Sequence, residues 1–235
     1  MTLQELFDHL TYGELGQFFI GGLEDGGISN ISQPNLINNI NLGLLELYTE
    51  FPLKTKEVFI QLYEHITTYT LHTDYAQSNL NSTQPTKYIV DYSADPFIND
   101  VLLIDSVFNE DGAEYPLNDS TQTFSVFTPS YNSIQVPFVD GDNAISVIYR
   151  ASPQRIPTTN VNPSLVDVPI PPQLVGALIS FVVSKVHSSI GSSNETNKAG
   201  LFYNKFKAEI ANIKLLGLIQ KEQIFNERLW SNGWV

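Results

Sequence analysis

An α+β fold is predicted from three features of the sequence. Apolar residues recur with helical spacing near both ends of the chain. Between those ends the spacing drops to two, as in strands. A proline-rich stretch then leads from the alternating part back to a helical part, so the helices are discontinuous in sequence. The architecture expected is a helical bundle built from N-terminal helices and a C-terminal αα-hairpin, with an inserted antiparallel β-sheet or small barrel. The expected parts are residues 1–52 (N-terminal helical part), 53–162 (β-rich part), 163–222 (C-terminal helical hairpin packing on the N-terminal helices) and 223–235 (aromatic C-terminal tail).

Thr2-Leu3-Gln4-Glu5 has the capping-box pattern, in which Thr2 and Glu5 each accept the other's backbone N–H. A short helix with Leu3, Leu6, Phe7 and Leu10 turned inward follows from it. Gly13, Gly16, Gly21, Gly22, Gly26 and Gly27 then punctuate a long loop. It lacks the strand, glycine spacing and lysine of a phosphate-binding loop, and Glu24 and Asp25 would repel phosphate. Ser32 suits an N-cap and Pro34 the first turn of a second helix. Leu36, Ile37, Ile40, Leu44, Leu47, Tyr48 and Phe51 form its apolar stripe, and Pro52 stops it.

Val58, Ile60 and Leu62 then alternate with Phe59, Gln61 and Tyr63. With Ile66–Leu71 they are expected to form a β-hairpin. Further short strands are expected at Tyr88–Val90, Val101–Phe108, Glu114–Leu117, Phe124–Phe127, Ser133–Val136 and Ala144–Tyr149. Asn109–Gly112 and Asp140–Asn143 read as turns. Residues 151–172 hold six prolines and form an extended connector.

Pro171 and Pro172 suit the start of the hairpin, where a missing N–H costs little. Leu174, Leu178, Val182, Val186 and Ile190 recur every four residues beside Val175, Ile179 and Val183. So wide a stripe belongs to a helix covered on most sides. Gly191 is the expected C-cap and Ser192 to Asn197 the turn. A second, amphipathic helix carries Ala199, Phe202, Phe206, Ile210 and Ile213 on one face, with Lys205, Lys207, Lys214 and Lys221 elsewhere. Beyond it, Phe225, Leu229, Trp230 and Trp234 mark the tail. Aromatic side chains of that size do not stay wet, so the tail is expected to fold back or to dock on another subunit or partner.

Composition excludes several functions. There is no cysteine, so disulfides, thiolate catalysis and cysteine metal sites are ruled out. His9, His65, His72 and His187 stand in no metal-binding spacing, and no twelve-residue calcium loop is present. No nucleophile-elbow motif occurs. No catalytic residue, cofactor or metal is therefore expected, and an enzyme is not. Gly176, Ser180 and Ser184 interrupt the most apolar helix, which argues against a membrane span. The first residues lack the pattern of a secretion signal. Residues 1–149 hold three Lys/Arg against twenty Asp/Glu, whereas residues 150–235 hold nine against five. An acidic body with a mildly basic end does not wrap nucleic acid, which needs clustered cations.

Segments along most of the chain resemble one protein family when taken in order. They are Tyr12-Gly13-Glu14-Leu15, Asn41–Phe51 with Leu53-Lys54, Ile104–Leu117, Thr128–Asn132, Ile145–Arg150, Pro171–Ile190 and Phe202–Ile213. Together they look like the bacteriophage head-to-tail connector (adaptor, or head-completion) proteins that sit under the portal ring. The resemblance implies a virion protein at the portal vertex, assembled in the host cytoplasm. It implies a self-associating ring, commonly of twelve copies, between the portal and a downstream tail protein. The genome would pass through the channel without specific binding, and no membrane is involved. Phe225, Leu229, Trp230 and Trp234 are then candidate contacts to the portal or to a neighbouring subunit. The alternative is a receptor- or glycan-binding tail component that uses the β part, with Tyr131-Asn132 suited to sugars.

Overall fold

The computed structural model describes residues 1–15, 32–137 and 143–219. The fold is mixed α+β, with four helices and two antiparallel sheets among these residues. The chain divides into a helical unit, residues 1–43 with 156–235, and a β unit, residues 44–155. The division falls inside the second helix, between Gly43 and Leu44.

In the helical unit, α1 (Leu3–Tyr12) starts at the capping box. Glu5 N–H donates to Thr2 Oγ1 at 3.2 Å, and Thr2 N–H donates to Glu5 Oε2 at 2.8 Å. Its Leu3, Leu6, Phe7 and Leu10 are buried, each contributing about 1.5–3 kcal/mol relative to exposure. Helix α2 (Gln33–Glu50) crosses the first helix of the hairpin at Gly43, where a Cβ would come within 2.6 Å of Leu178 Cδ1 and 2.9 Å of Phe181 Cδ1. Glycine is required there by close approach, not by its dihedral freedom.

The hairpin consists of α3 (Val175–Ile190), entered through a 3-10 turn at Pro172–Leu174, and α4 (Ser193–Leu215). Gly191 sits in the left-handed region with φ 76°, as its place after an apolar helix predicts. The turn is shorter than the run of Ser and Asn suggests. Ser192 is already the N-cap of α4, accepting the Glu195 N–H, and Thr196 Oγ1 donates to Ser192 O. Polar residues that look like loop are here satisfied by a helix start. Leu174, Leu178 and Val182 are buried, but Ile190 is 48% exposed. A four-residue spacing advances by about 40° per step around a 3.6-residue helix, so the stripe slides off the covered face.

Pro172–Ile190 is long and apolar enough, by length and composition alone, to cross a membrane, which differs from the sequence expectation. Half of that stretch is buried inside the fold, as befits a core helix. Ala177, Leu178, Phe181, Val182 and Val183 are all buried.

In the β unit the strands are β1 (Thr55–Gln61), β2 (Thr68–Thr70), β3 (Ile89–Val90), β4 (Val101–Phe108), β5 (Phe127–Ser130), β6 (Ser133–Gln135) and β7 (Ala144–Ala151). One sheet has the order β3-β1-β7-β4 and the other β2-β6-β5, so the strands do not close into one barrel. Val58 faces Val147 across β1 and β7, and Val107 faces Val147 across β4 and β7. These residues share a core with Tyr69 and Ile134 of the second sheet and with Val136 just past β6.

The expected hairpin of 58–71 does not form. β1 pairs with β3 and β7, and β2 pairs with β6. Leu62–Ile66 holds no Asn-Gly or Asp-Gly to reverse the chain tightly. Instead the Tyr69 hydroxyl accepts the Tyr63 N–H at 2.8 Å, and the chain passes to the other sheet. Glu114–Leu117 makes isolated bridges rather than a strand, and the strand expected at Phe124 begins at Phe127. The turn at Asn109–Gly112 is present, with Gly112 at φ 77°. Of the other expected turn, residues 140–142 lie outside the described residues.

Candidate functional site

The residues singled out as contacts, Phe225, Leu229, Trp230 and Trp234, lie outside the described residues, as does the glycine-punctuated segment 16–31. What the structure places is the hairpin that leads to them. Helix α4 buries Ala199, Phe206, Ile210 and Ile213 against α3, with the Phe206 and Phe181 rings edge to face at 5.1 Å. Its other side carries exposed Leu201 and Leu215, and the chain beyond carries exposed Leu216 and Leu218. Leu201, Asn204, Ala208, Ala211 and Leu215 fall at three- and four-residue steps, so they share one face, and all are exposed. This is an apolar seam on the outside of an already amphipathic helix.

The closed end of the hairpin is held by charge. His187 is 2% exposed and lies in the last turn of α3. Its Nδ1 is 2.5 Å from Glu195 Oε2, and its ring stacks on Phe202 at 5.4 Å. Lys198 Nζ donates to the other Glu195 oxygen at 2.9 Å. Lys198 and then His187 hold the Glu195 carboxyl below the usual glutamate range. The open end of the hairpin, away from the Gly191 turn, is different. Glu209 of α4 reaches the Gly176–Ser180 face of α3, where a Cβ on Gly176 would lie 3.5 Å from Glu209 Oε2. Burial raises this carboxyl, against opposing pulls from Lys205 and Ser180.

The other histidines do not assemble with it. His9 lines an open depression with Glu5, Asp8, Tyr12 and Gly13 in the helical unit. In the β unit, His72 Nδ1 accepts the Asp74 N–H at 3.3 Å and so caps a short 3-10 turn, and the His65 ring lies 5.9 Å from that of Tyr63. Among the described residues no group of three or more His, Cys, Asp or Glu side chains could hold a metal ion.

Two buried carboxylates in the β unit have charged partners. Asp100, 6% exposed, has Lys56 Nζ at 2.8 Å and accepts the Tyr149 hydroxyl at 3.0 Å. Burial and then the Asp100 charge push the Tyr149 hydroxyl well above the ordinary tyrosine range. Asp105 accepts from Arg150 Nε at 3.2 Å and has Arg150 Nη2 as an ion-pair partner at 3.2 Å, while Arg150 Nη1 donates to Thr49 O at 2.7 Å. Both pairs bridge strands and have the geometry of structural ties.

Sequence reading missed Glu209, Asp100 and Lys56 as a class. The available signal was Gly176, Ser180 and Ser184, small residues at four-residue steps in the most apolar helix. No family model matches this chain, and no curated protein matches it.

Proposed function

We propose that this protein is a structural head-to-tail connector, a ring-forming virion component that joins a portal to a tail and lets the genome pass. The observation that carries this reading is the ordered set of segments, from Tyr12–Leu15 to Phe202–Ile213, that resembles that family. The outward seam Leu201, Ala208 and Leu215, with exposed Leu218 just beyond the helix, supports it as well. An apolar helix face of this kind suits contact between copies, and rings are built from heterologous contacts that close. The acidity of residues 1–149 suits a channel wall that offers phosphates no partners. In this reading the protein has no catalytic role, and the basic, aromatic end, with Phe225, Leu229, Trp230 and Trp234, meets the portal.

Single-particle images of the protein mixed with portal test the reading. A stacked ring on the portal is the expected outcome, and a protein that ignores the portal would sink it. Deleting residues 223–235 is expected to abolish portal binding and to leave the far-UV circular dichroism unchanged. Full binding by the truncated chain would refute the role given to the tail. The second reading, a glycan-binding tail component, is favoured by Tyr131, 64% exposed at the β5–β6 turn. A free trimer that binds sugars would support it over the ring.

A further inference from the structure

Among the described residues three buried side-chain oxygens have no hydrogen-bond partner: Asp100 Oδ2, Ser180 Oγ and Glu209 Oε2. Asp100 Oδ2 at least faces the Lys56 ammonium. The other two meet at the contact between α3 and α4. Gly176 and Ser180 stand one turn apart on α3, and Glu209 Oε2 lies against Gly176, 3.5 Å from where a Cβ would stand. Ser180 is 1% exposed, and it stands near enough to Glu209 to favour the ionised carboxylate. The two oxygens nevertheless make no hydrogen bond of acceptable geometry.

The surrounding charges pull in opposite directions, Lys205 more strongly than Glu14. Lys205, one turn earlier on α4, attracts the carboxylate, but its ammonium is paired with Glu14 Oε1 at 3.1 Å. Glu14, just past α1, repels the Glu209 charge. The Ser180 hydroxyl can donate to the carboxylate, but burial outweighs that help, so ionisation leaves a poorly compensated charge in the slot.

We propose that Glu209 is a proton-operated latch between the two helices of the hairpin. Protonated, its O–H donates to Ser180 Oγ and locks α4 onto α3. Ionised, the carboxylate is drawn toward Lys205 and water, and the open end of the hairpin loosens while the His187–Glu195 end stays closed. The latch is independent of the connector reading.

The sign follows from linkage. The folded state holds this carboxyl above the ordinary glutamate range, so its contribution is fully present below that range. It is lost as pH rises through the raised value.

The test uses the full-length chain and its Glu209→Gln variant, which mimics the protonated group. Chemical-denaturation midpoints are compared from about pH 5 to about pH 8, spanning the range in which a raised carboxyl titrates. The variant is expected to lie above wild type at the upper end, with the gap closing toward the lower end. A gap that does not change with pH, or a variant less stable than wild type at the upper end, overturns the latch. Carbon-13 titration of the Glu209 carboxyl in the wild-type chain gives a second reading that needs no substitution. A midpoint above that of ordinary glutamates is expected, and one at or below them overturns the proposal.

Discussion

Asp91 of the β unit and Glu209 of the helical unit are both partly buried carboxyls, yet they are pushed in opposite directions. Burial raises each of them. At Asp91 that effect loses: Ser78 Oγ–H, Ser78 N–H and Phe97 N–H all donate to the carboxylate, at 2.5, 2.8 and 2.8 Å, and hold it below the usual aspartate range. At Glu209 it wins, because the opposing pulls of Lys205 and the Ser180 hydroxyl are weaker than the desolvation. Burial alone therefore decides neither case; the supply of donors does. Irregular loops, with their free N–H groups, provide such donors. A helix interior does not, since its N–H groups are already spent on the helix. The units differ in the same way elsewhere. The β unit ties its buried acids Asp100 and Asp105 to cations across strands, whereas the hairpin is held in its middle by the fit of apolar shapes.

The largest effect that would sharpen this contrast comes from Phe206→Ala. The side chain is fully buried against Phe181, and its loss is expected to cost about 3–5 kcal/mol in denaturant unfolding. A cost under about 1 kcal/mol would mean that shape is not what holds the hairpin. Next comes Gly43→Val, which drives a branched side chain into Leu178 and Phe181. Overpacking of this kind is expected to cost about 1–3 kcal/mol, and a neutral midpoint would show that the α2–α3 crossing yields easily.

Lys56→Met probes the β unit. It leaves Asp100 buried with only the Tyr149 hydroxyl, and because Lys56 is 30% exposed the expected loss is held to about 1–2 kcal/mol. A stabilised variant would break the contrast, since it would show the pair to be dispensable.

The smallest effect is Asp91→Asn, about 1 kcal/mol near neutrality. Its pH dependence is the more telling part. The folded carboxyl is lowered, so the wild-type advantage is present above the ordinary aspartate range and is lost as pH falls through the lowered value. Midpoints of the two proteins should converge in acid, opposite in direction to the loss that rising pH brings through Glu209. Parallel profiles would remove the contrast between the two carboxyls.

Helices were legible because each carries its own start and stop. The Thr2–Glu5 box, Pro52, Gly191 and the apolar stripes are all local, and each works in the structure as its residue type requires. Most strand positions were legible for the same reason, since Val58, Ile60 and Leu62 are buried while Phe59 is 48% exposed, although Glu114–Leu117 forms only isolated bridges. Strand partners were not. Period-two alternation states which face is covered and says nothing about which neighbour supplies the hydrogen bonds. The candidate contacts in the tail were chosen for their chemistry alone, and Glu209 could not be chosen at all.

By itself, then, the sequence determined the α+β class, most helix limits and the acidic imbalance, because those depend on residues close together in the chain. Tertiary structure alone decided that β1 joins β7 rather than the β2 region, and that Glu209 meets Gly176 and Ser180. Pairing and desolvation are properties of groups brought together across long stretches of chain. No local pattern encodes which donors arrive, and it is their arrival or absence that sets the charge state of a buried acid.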